Sequence, residues 1–179
     1  MDTSRQSRDK VPVSRAVAVM KSGDIILTGN NIMPLTWLIR LLTWSRYSHA
    51  EIYVGAGKTV GAHFNGIHES RLEDQAKSWK YVRVMRPKEA SALQQTVVRQ
   101  TALGLVGRGY DFIHLLQYAW RILLGTLGKA PIADDPSRHV CLELAAYCWH
   151  RHGVKVGGEY ADNVTGRSIV NDPKLITVF

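Results

Sequence analysis

The chain has 179 residues, of which 45% are hydrophobic, and this length and composition indicate one globular domain and exclude a chain that is disordered as a whole. The formal net charge of +8 favours an anionic partner, such as a membrane surface, a cell-wall polymer or a nucleic acid. Specific recognition of nucleic acid is not expected, because the sequence contains neither a Cys/His finger spacing nor an aromatic RNP-like strand.

Residues 1–12 are polar and charged, and they predict a flexible basic tail in front of a single domain over 13–179. The N-terminal segment has no apolar core of signal-peptide length, and no apolar run is long enough to span a membrane. The sequence therefore predicts a cytoplasmic protein, or one that is exported without an N-terminal signal peptide.

The first predicted elements are an edge strand over 13–19, an apolar strand over 25–27 and a helix from Pro34 to about Trp44. Two alternating segments, 49–55 and 59–65, then predict a β-hairpin.

The parity of the hairpin register follows from matching its two apolar faces. That register places Glu51 opposite Gly61 and His63 across from His49, so two imidazoles and a carboxylate share one polar face. The same parity requires an odd loop, and a three-residue loop with Gly57 in the left-handed conformation is predicted.

Further strands are predicted over 67–72, 81–85 and 175–179, a turn over 107–111, and helices over 89–105 and 112–127. The segment 112–127 is very apolar and is interpreted as a core helix, with contact to a membrane surface or an acyl chain as the alternative.

The segment 138–149 predicts a buried helix with Cys141 in its first turn, where the helix dipole favours the thiolate. Cys148 follows on the same helix at about 10 Å along the axis, whereas a disulfide needs Cα atoms within about 7 Å. The two thiols are therefore expected to stay unpaired. Cys141 alone is a weak indication of catalysis, because most single cysteines are inert packing residues.

Five short motifs together suggest a family. They are Ser22-Gly23-Asp24-Ile25, Tyr47-Ser48-His49-Ala50-Glu51-Ile52-Tyr53-Val54-Gly55, Gly57-Lys58, Tyr110-Asp111-Phe112 and Val140-Cys141-Leu142-Glu143-Leu144. This set resembles the circularly permuted NlpC/P60 hydrolases of the YiiX/YaeF-like type and, more loosely, lecithin:retinol acyltransferase-like proteins. The resemblance implies an α+β, permuted papain-like fold, in which a small antiparallel sheet or half-barrel packs against helices that include the cysteine helix.

The resemblance also implies roles for individual residues. Cys141 matches the nucleophile, His49 matches the base, and Tyr110 matches a tyrosine that lines the substrate site. The third polar residue of the family falls at Gly61 in this chain. His63, two positions further on the same face, is the predicted substitute, and Glu51 is its rival.

The expected function is that of a thiol hydrolase that cleaves an amide bond in cell-wall peptides, including the role of a secreted antibacterial effector. The alternative is a lipid acyl hydrolase or acyltransferase at membranes, and neither reaction is expected to need a cofactor or a metal. In a different class, His49, His63 and Glu51 could bind a metal as a two-histidine, one-carboxylate set. A non-catalytic binding module is the last alternative.

Overall fold

The structure is a computed structural model that describes residues 13–29, 44–63, 65–110, 138–139, 141–161 and 164–179. The predicted tail 1–12, the predicted helix that begins at Pro34 and the predicted apolar helix 112–127 lie outside the described residues. Within the described residues, no helix is long and apolar enough to cross a membrane.

The described strands are β1 (Ile25–Gly29), β2 (His49–Gly55), β3 (Lys58–His63), β4 (Gly66–Arg71), β5 (Tyr81–Pro87), β6 (Gly109–Tyr110), β7 (Arg138–His139) and β8 (Leu175–Thr177). The described helices are α1 (Val13–Val19), α2 (Leu72–Ala76), α3 (Ala92–Gly104), α4 (Cys141–His150) and α5 (Gly166–Val170). The chain is therefore α+β, as the sequence predicts.

Six of the strands form one sheet in the order β4-β3-β2-β1-β5-β8, and every neighbouring pair is antiparallel. The strands β6 and β7 form a separate parallel pair. Because β2 lies inside the sheet, both of its edges are hydrogen-bonded, and the side chains that it carries are held in a fixed register.

The sheet buries apolar side chains on both of its faces. The larger core includes Ile52 of β2 and the buried residues of α4, among them Leu144 and Trp149. The smaller core joins Tyr53 of β2 to Ala16 of α1 and to neighbouring apolar residues. The indole Nε1 of Trp149 donates a hydrogen bond to the carbonyl of Gly23 over 2.9 Å, which ties α4 to the turn before β1.

The β2–β3 hairpin has the predicted register but not the predicted loop. Glu51 pairs with Gly61 as expected, yet the turn contains two residues, Ala56 and Gly57, and both have positive φ angles of 52° and 71°. A two-residue turn would have reversed the parity, but a bulge between Tyr53 and Gly55 adds one residue to β2 and restores it.

Two other predictions need correction. The segment Val13–Val19 is a helix and not an edge strand, because Ala16 and Met20 recur at helical spacing and are buried together under the sheet. The cysteine helix begins at Cys141, since Arg138–His139 is the strand β7, paired with Gly109–Tyr110 where a turn was predicted.

Candidate active site

Cys141 is the first residue of α4, and this helix packs directly on β2. Its sulfur lies 3.7 Å from the carbonyl oxygen of Ser48 immediately before β2, to which the protonated thiol can donate a long hydrogen bond. The backbone N–H groups of Ala50 and Leu142 also point at the sulfur. The nucleophile candidate is therefore held by backbone groups of both elements, at the end of the helix where negative charge is favoured.

His49 is the first residue of β2, and its imidazole contacts both Cys141 and Glu51. Its Nε2 lies 3.0 Å from Oε1 of Glu51 in a hydrogen bond. The ring also interacts with Cys141, whose negative charge and hydrogen bond raise the pKa of His49. The side chain is 24% exposed, so a substrate can reach the ring.

Glu51 lies below His49 on the same strand and is only 1% exposed. The missing side chain at Gly61 on β3 makes room for this carboxylate, because a Cβ atom at Gly61 would lie 2.7 Å from Cγ of Glu51. Because the hairpin register places Gly61 opposite Glu51, the carboxylate of Glu51 has room to contact His49 on the same strand.

His63 approaches the same carboxylate from the neighbouring strand. Its Nε2 lies 3.1 Å from Oε1 of Glu51, but the contact lacks the alignment of a hydrogen bond. The ring centroids of His49 and His63 are 4.9 Å apart, and the ring of His68 on β4 stacks on His63 at 4.4 Å. Three imidazoles thus lie side by side on three neighbouring strands around one buried carboxylate.

The charges in this cluster stabilise one another. Burial alone would lower the pKa of His49, but the Cys141 thiolate, followed by Glu51, raises it to about 10. Burial alone would raise the pKa of Cys141, yet the charge and hydrogen bond of His49 hold it below its usual range. Likewise, the pKa of Glu51 is depressed in spite of burial, chiefly by its contacts with His49 and His63. A thiolate–imidazolium pair is therefore the favoured state of the two groups.

The structure brings together Cys141, His49, Glu51 and His63, which the sequence proposes as site residues. The backbone of Tyr110 lies in β6 beside β7, but its side chain is outside the described residues. The contacts that the sequence does not reveal are the carbonyl of Ser48 and the N–H groups of Ala50 and Leu142. They are backbone groups, which carry no residue-type signal.

A solved structure has a similar overall arrangement. The fold is similar to that of the metalloprotein yiiX from Escherichia coli O157:H7. The two structures match with a TM-score of 0.68 at 20% sequence identity, over 90% of this chain and 97% of the yiiX chain. This similarity confirms the YiiX-like fold that the motifs predict. No protein-family model matches the sequence, and no curated protein matches it either.

Proposed function

We propose that the protein is a thiol hydrolase with Cys141 as nucleophile, His49 as base and Glu51 as the residue that orients His49. The observation that carries this proposal is the contact between the thiol at the start of α4 and the imidazole at the start of β2. In papain-like enzymes, a base contacts the nucleophilic thiol and a third polar residue orients the base, and this spatial arrangement activates the thiol.

The proposed reaction begins with attack of the Cys141 thiolate on a carbonyl carbon, which forms a thioester and a leaving group. The imidazolium of His49 gives its proton to the leaving group, and the neutral ring then removes a proton from the incoming water or other acceptor. Glu51 holds Nε2 of His49, which fixes the orientation of the ring beside the sulfur. The backbone N–H of Cys141 is the proposed donor to the oxyanion.

For the substrate, we propose an amide bond in anionic cell-wall peptides. The net charge of +8 and the resemblance to NlpC/P60 hydrolases support this choice. Acyl esters or amides of phospholipids are the second candidate, which the apolar sequence of 112–127 favours. Both substrates present a carbonyl to the same thiolate, so the two candidates differ in what surrounds the bond that is cleaved.

The proposal is tested by incubating the purified protein with peptidoglycan fragments and, separately, with phospholipid vesicles, and by identifying the products by mass spectrometry. New amine and carboxylate ends in the peptides support the first candidate, and released fatty acids or transferred acyl groups support the second. Cys141→Ala serves as the control in both reactions. Product formation by Cys141→Ala at the wild-type rate would refute a thiol mechanism.

A metal-dependent function is the competing proposal, because yiiX is described as a metalloprotein. His49, Glu51 and His63 fit such a site, since each offers one ligand atom and these three atoms lie within 4.8 Å of one another. A metal held there could polarise a carbonyl or activate water, and Cys141 would be incidental. Activity that a chelator abolishes and that thiol alkylation does not affect would favour this proposal over the thiol hydrolase.

A further inference from the structure

Three basic and three aromatic residues lie at one end of the large sheet and form a basic–aromatic surface. They are Trp44, Arg46 and Tyr47, which precede β2, and Lys80, Tyr81 and Arg83 around the start of β5. Gly29, at the end of β1, pairs with Tyr81. A Cβ atom at Gly29 would clash with the carbonyl oxygen of Arg46 and lie 3.4 Å from the Tyr81 ring. The two segments are therefore packed against each other over the end of β1.

The cations of the basic–aromatic surface lie over its tyrosine rings. Cζ of Arg46 and Nζ of Lys80 lie 5.8 Å and 5.5 Å from the centre of the Tyr81 ring. Cζ of Arg83 lies 5.9 Å from the centre of the Tyr47 ring. None of the ion pairs between described residues includes any of these three cations. Their positive charges are therefore presented to a ligand without neutralisation by a described carboxylate.

Trp44 adds a large apolar group to this surface. It is 81% exposed, more than any other large hydrophobic residue that the structure describes. Its φ of 51° lies in the left-handed region, which a bulky residue rarely adopts and which persists only where the surroundings hold it. The turn that follows is held, because Oγ of Ser45 accepts a hydrogen bond from the N–H of Tyr47 over 3.1 Å and packs against Gly166 of α5. The exposed indole is therefore a fixed feature of the surface.

The basic–aromatic surface borders the proposed nucleophile. Tyr47 is followed by Ser48, whose carbonyl oxygen lies 3.7 Å from Sγ of Cys141. Tyr47 also packs against the larger core, to which α4 belongs. Arg83 lies on the same face of β5 as Met85, which is a member of that core. The surface is therefore on the α4 side of the sheet, at the end where Cys141 begins the helix.

We propose that the basic–aromatic surface binds the protein to an anionic phospholipid membrane. Trp and Tyr side chains have an apolar body and a polar tip, and they are enriched where membranes meet water. Each Lys or Arg near an anionic bilayer strengthens binding roughly fivefold. A cell-wall polymer also offers negative charge, but it has no apolar layer in which the indole of Trp44 is buried. The combination of charge and exposed indole therefore favours the membrane.

Binding through this surface brings the thiol end of the sheet to the bilayer. A lipid carbonyl is then the carbonyl nearest to Cys141, so the surface favours phospholipids over cell-wall peptides as the substrate. This choice of substrate rests on the proposed function, whereas the binding of the membrane does not.

The charge test is co-sedimentation of the full chain with vesicles, in the Cys141→Ala form so that no lipid is consumed. Binding to equimolar phosphatidylcholine and phosphatidylglycerol should be about tenfold tighter or more than to phosphatidylcholine alone, and it should weaken at high salt. Arg46→Gln combined with Lys80→Gln should weaken binding to the anionic vesicles about 25-fold. The matched control is Lys88→Gln combined with Lys174→Gln, which removes the same charge from exposed residues at the other end of β5. This control should stay within about twofold, because distant charges are screened.

The aromatic test uses the same anionic vesicles. Trp44→Ala should weaken binding about tenfold, because an indole that enters the bilayer surface is removed. Leu93→Ala is the matched control, since Leu93 is 72% exposed on α3 and lies outside the basic–aromatic surface. It should bind like the parent protein.

Equal binding to the two kinds of vesicle, or equal binding by the charge variant and its control, would overturn the proposal. Sedimentation with insoluble peptidoglycan is the third arm. If peptidoglycan is bound, vesicles are not, and Arg46→Gln combined with Lys80→Gln abolishes the binding, the surface serves the cell wall and the membrane proposal is wrong. Because every binding assay uses Cys141→Ala, absence of turnover by the wild type on lipids would refute only the hydrolase and leave the membrane surface intact.

Discussion

The two ends of α4 place the two thiols of the chain in opposite chemical environments. Cys141 begins the helix, is partly exposed and contacts His49, whereas Cys148 is fully buried among apolar side chains. Burial raises the pKa of Cys148 to about 12, while at Cys141 the same effect is outweighed by the charge and hydrogen bond of His49. The comparison teaches that burial by itself makes a thiol inert, and that the imidazole makes the difference.

The largest expected effect comes from removing each thiol in turn. Cys141→Ala should lower turnover by about 10⁴-fold or more, because it removes the proposed nucleophile. Cys148→Ala should keep turnover within a few-fold and lose about 1 kcal/mol in the free energy of unfolding, because only packing changes. Steady-state kinetics and denaturant unfolding measure the two effects. Similar turnover in both variants would remove the distinction between the thiols.

The next effect comes from removing the charge that supports His49. Glu51→Gln keeps the shape of the side chain but removes the negative charge, so the pKa of His49 should fall from about 10 towards its usual value. We expect kcat/KM to fall roughly 10²–10⁴-fold, as for the third member of other triads, with the alkaline limb of its pH profile moved to lower pH.

The control for Glu51→Gln is Glu69→Gln, which removes a carboxylate that is paired with Lys58 on the surface. This control should leave both the rate and the pH profile in place, because an exposed ion pair contributes about 0–1 kcal/mol. If Glu51→Gln behaves like Glu69→Gln, a residue other than Glu51 orients His49, and His63 becomes the first alternative.

A smaller effect is expected from filling the space beside Glu51. Gly61→Ala would place a Cβ atom 2.7 Å from Cγ of Glu51, so the carboxylate must shift away from His49. We expect turnover to fall about 10–100-fold and the free energy of unfolding to fall by about 1–3 kcal/mol. Gly104→Ala, at the end of α3 with no atom near the added Cβ, is the control and should not lower either quantity. Full activity of Gly61→Ala would contradict the proposed coupling of the two positions.

The sequence predicts the parts of the site that depend on periodicity. The helical spacing after Cys141 places the thiol at a helix start, and the alternation of 49–55 and 59–65 places His49 and His63 on one face of the β2–β3 hairpin. The register survives the wrong loop prediction because it is set by burial of Ile52 and Val60 on the same face. The bulge between Tyr53 and Gly55 then adapts the two-residue turn to that register.

The sequence does not show whether Glu51 or His63 is the partner of His49, because both lie on the same face of the hairpin. They differ only in the distance between each side chain and the imidazole of His49. The choice depends on the space left by Gly61 and on distances between side chains on two strands. The sequence also predicts a strand where helix α1 lies, because a seven-residue segment fits either period until its packing partners are known.

The most direct test of the account is the rate of Cys141 alkylation by iodoacetamide as a function of pH, in a Cys148→Ala background. Because His49 lowers the pKa of Cys141, the rate should stay high well below pH 8.5, the usual pKa of a thiol, and decline only in the acidic range. His49→Ala should move the inflection to higher pH, because the charge and hydrogen bond of the imidazole are lost and only the weaker contacts with the backbone N–H groups of Ala50 and Leu142 still oppose the effect of burial. An inflection at or above pH 8.5 that is the same with and without His49 would contradict the thiolate–imidazolium pair.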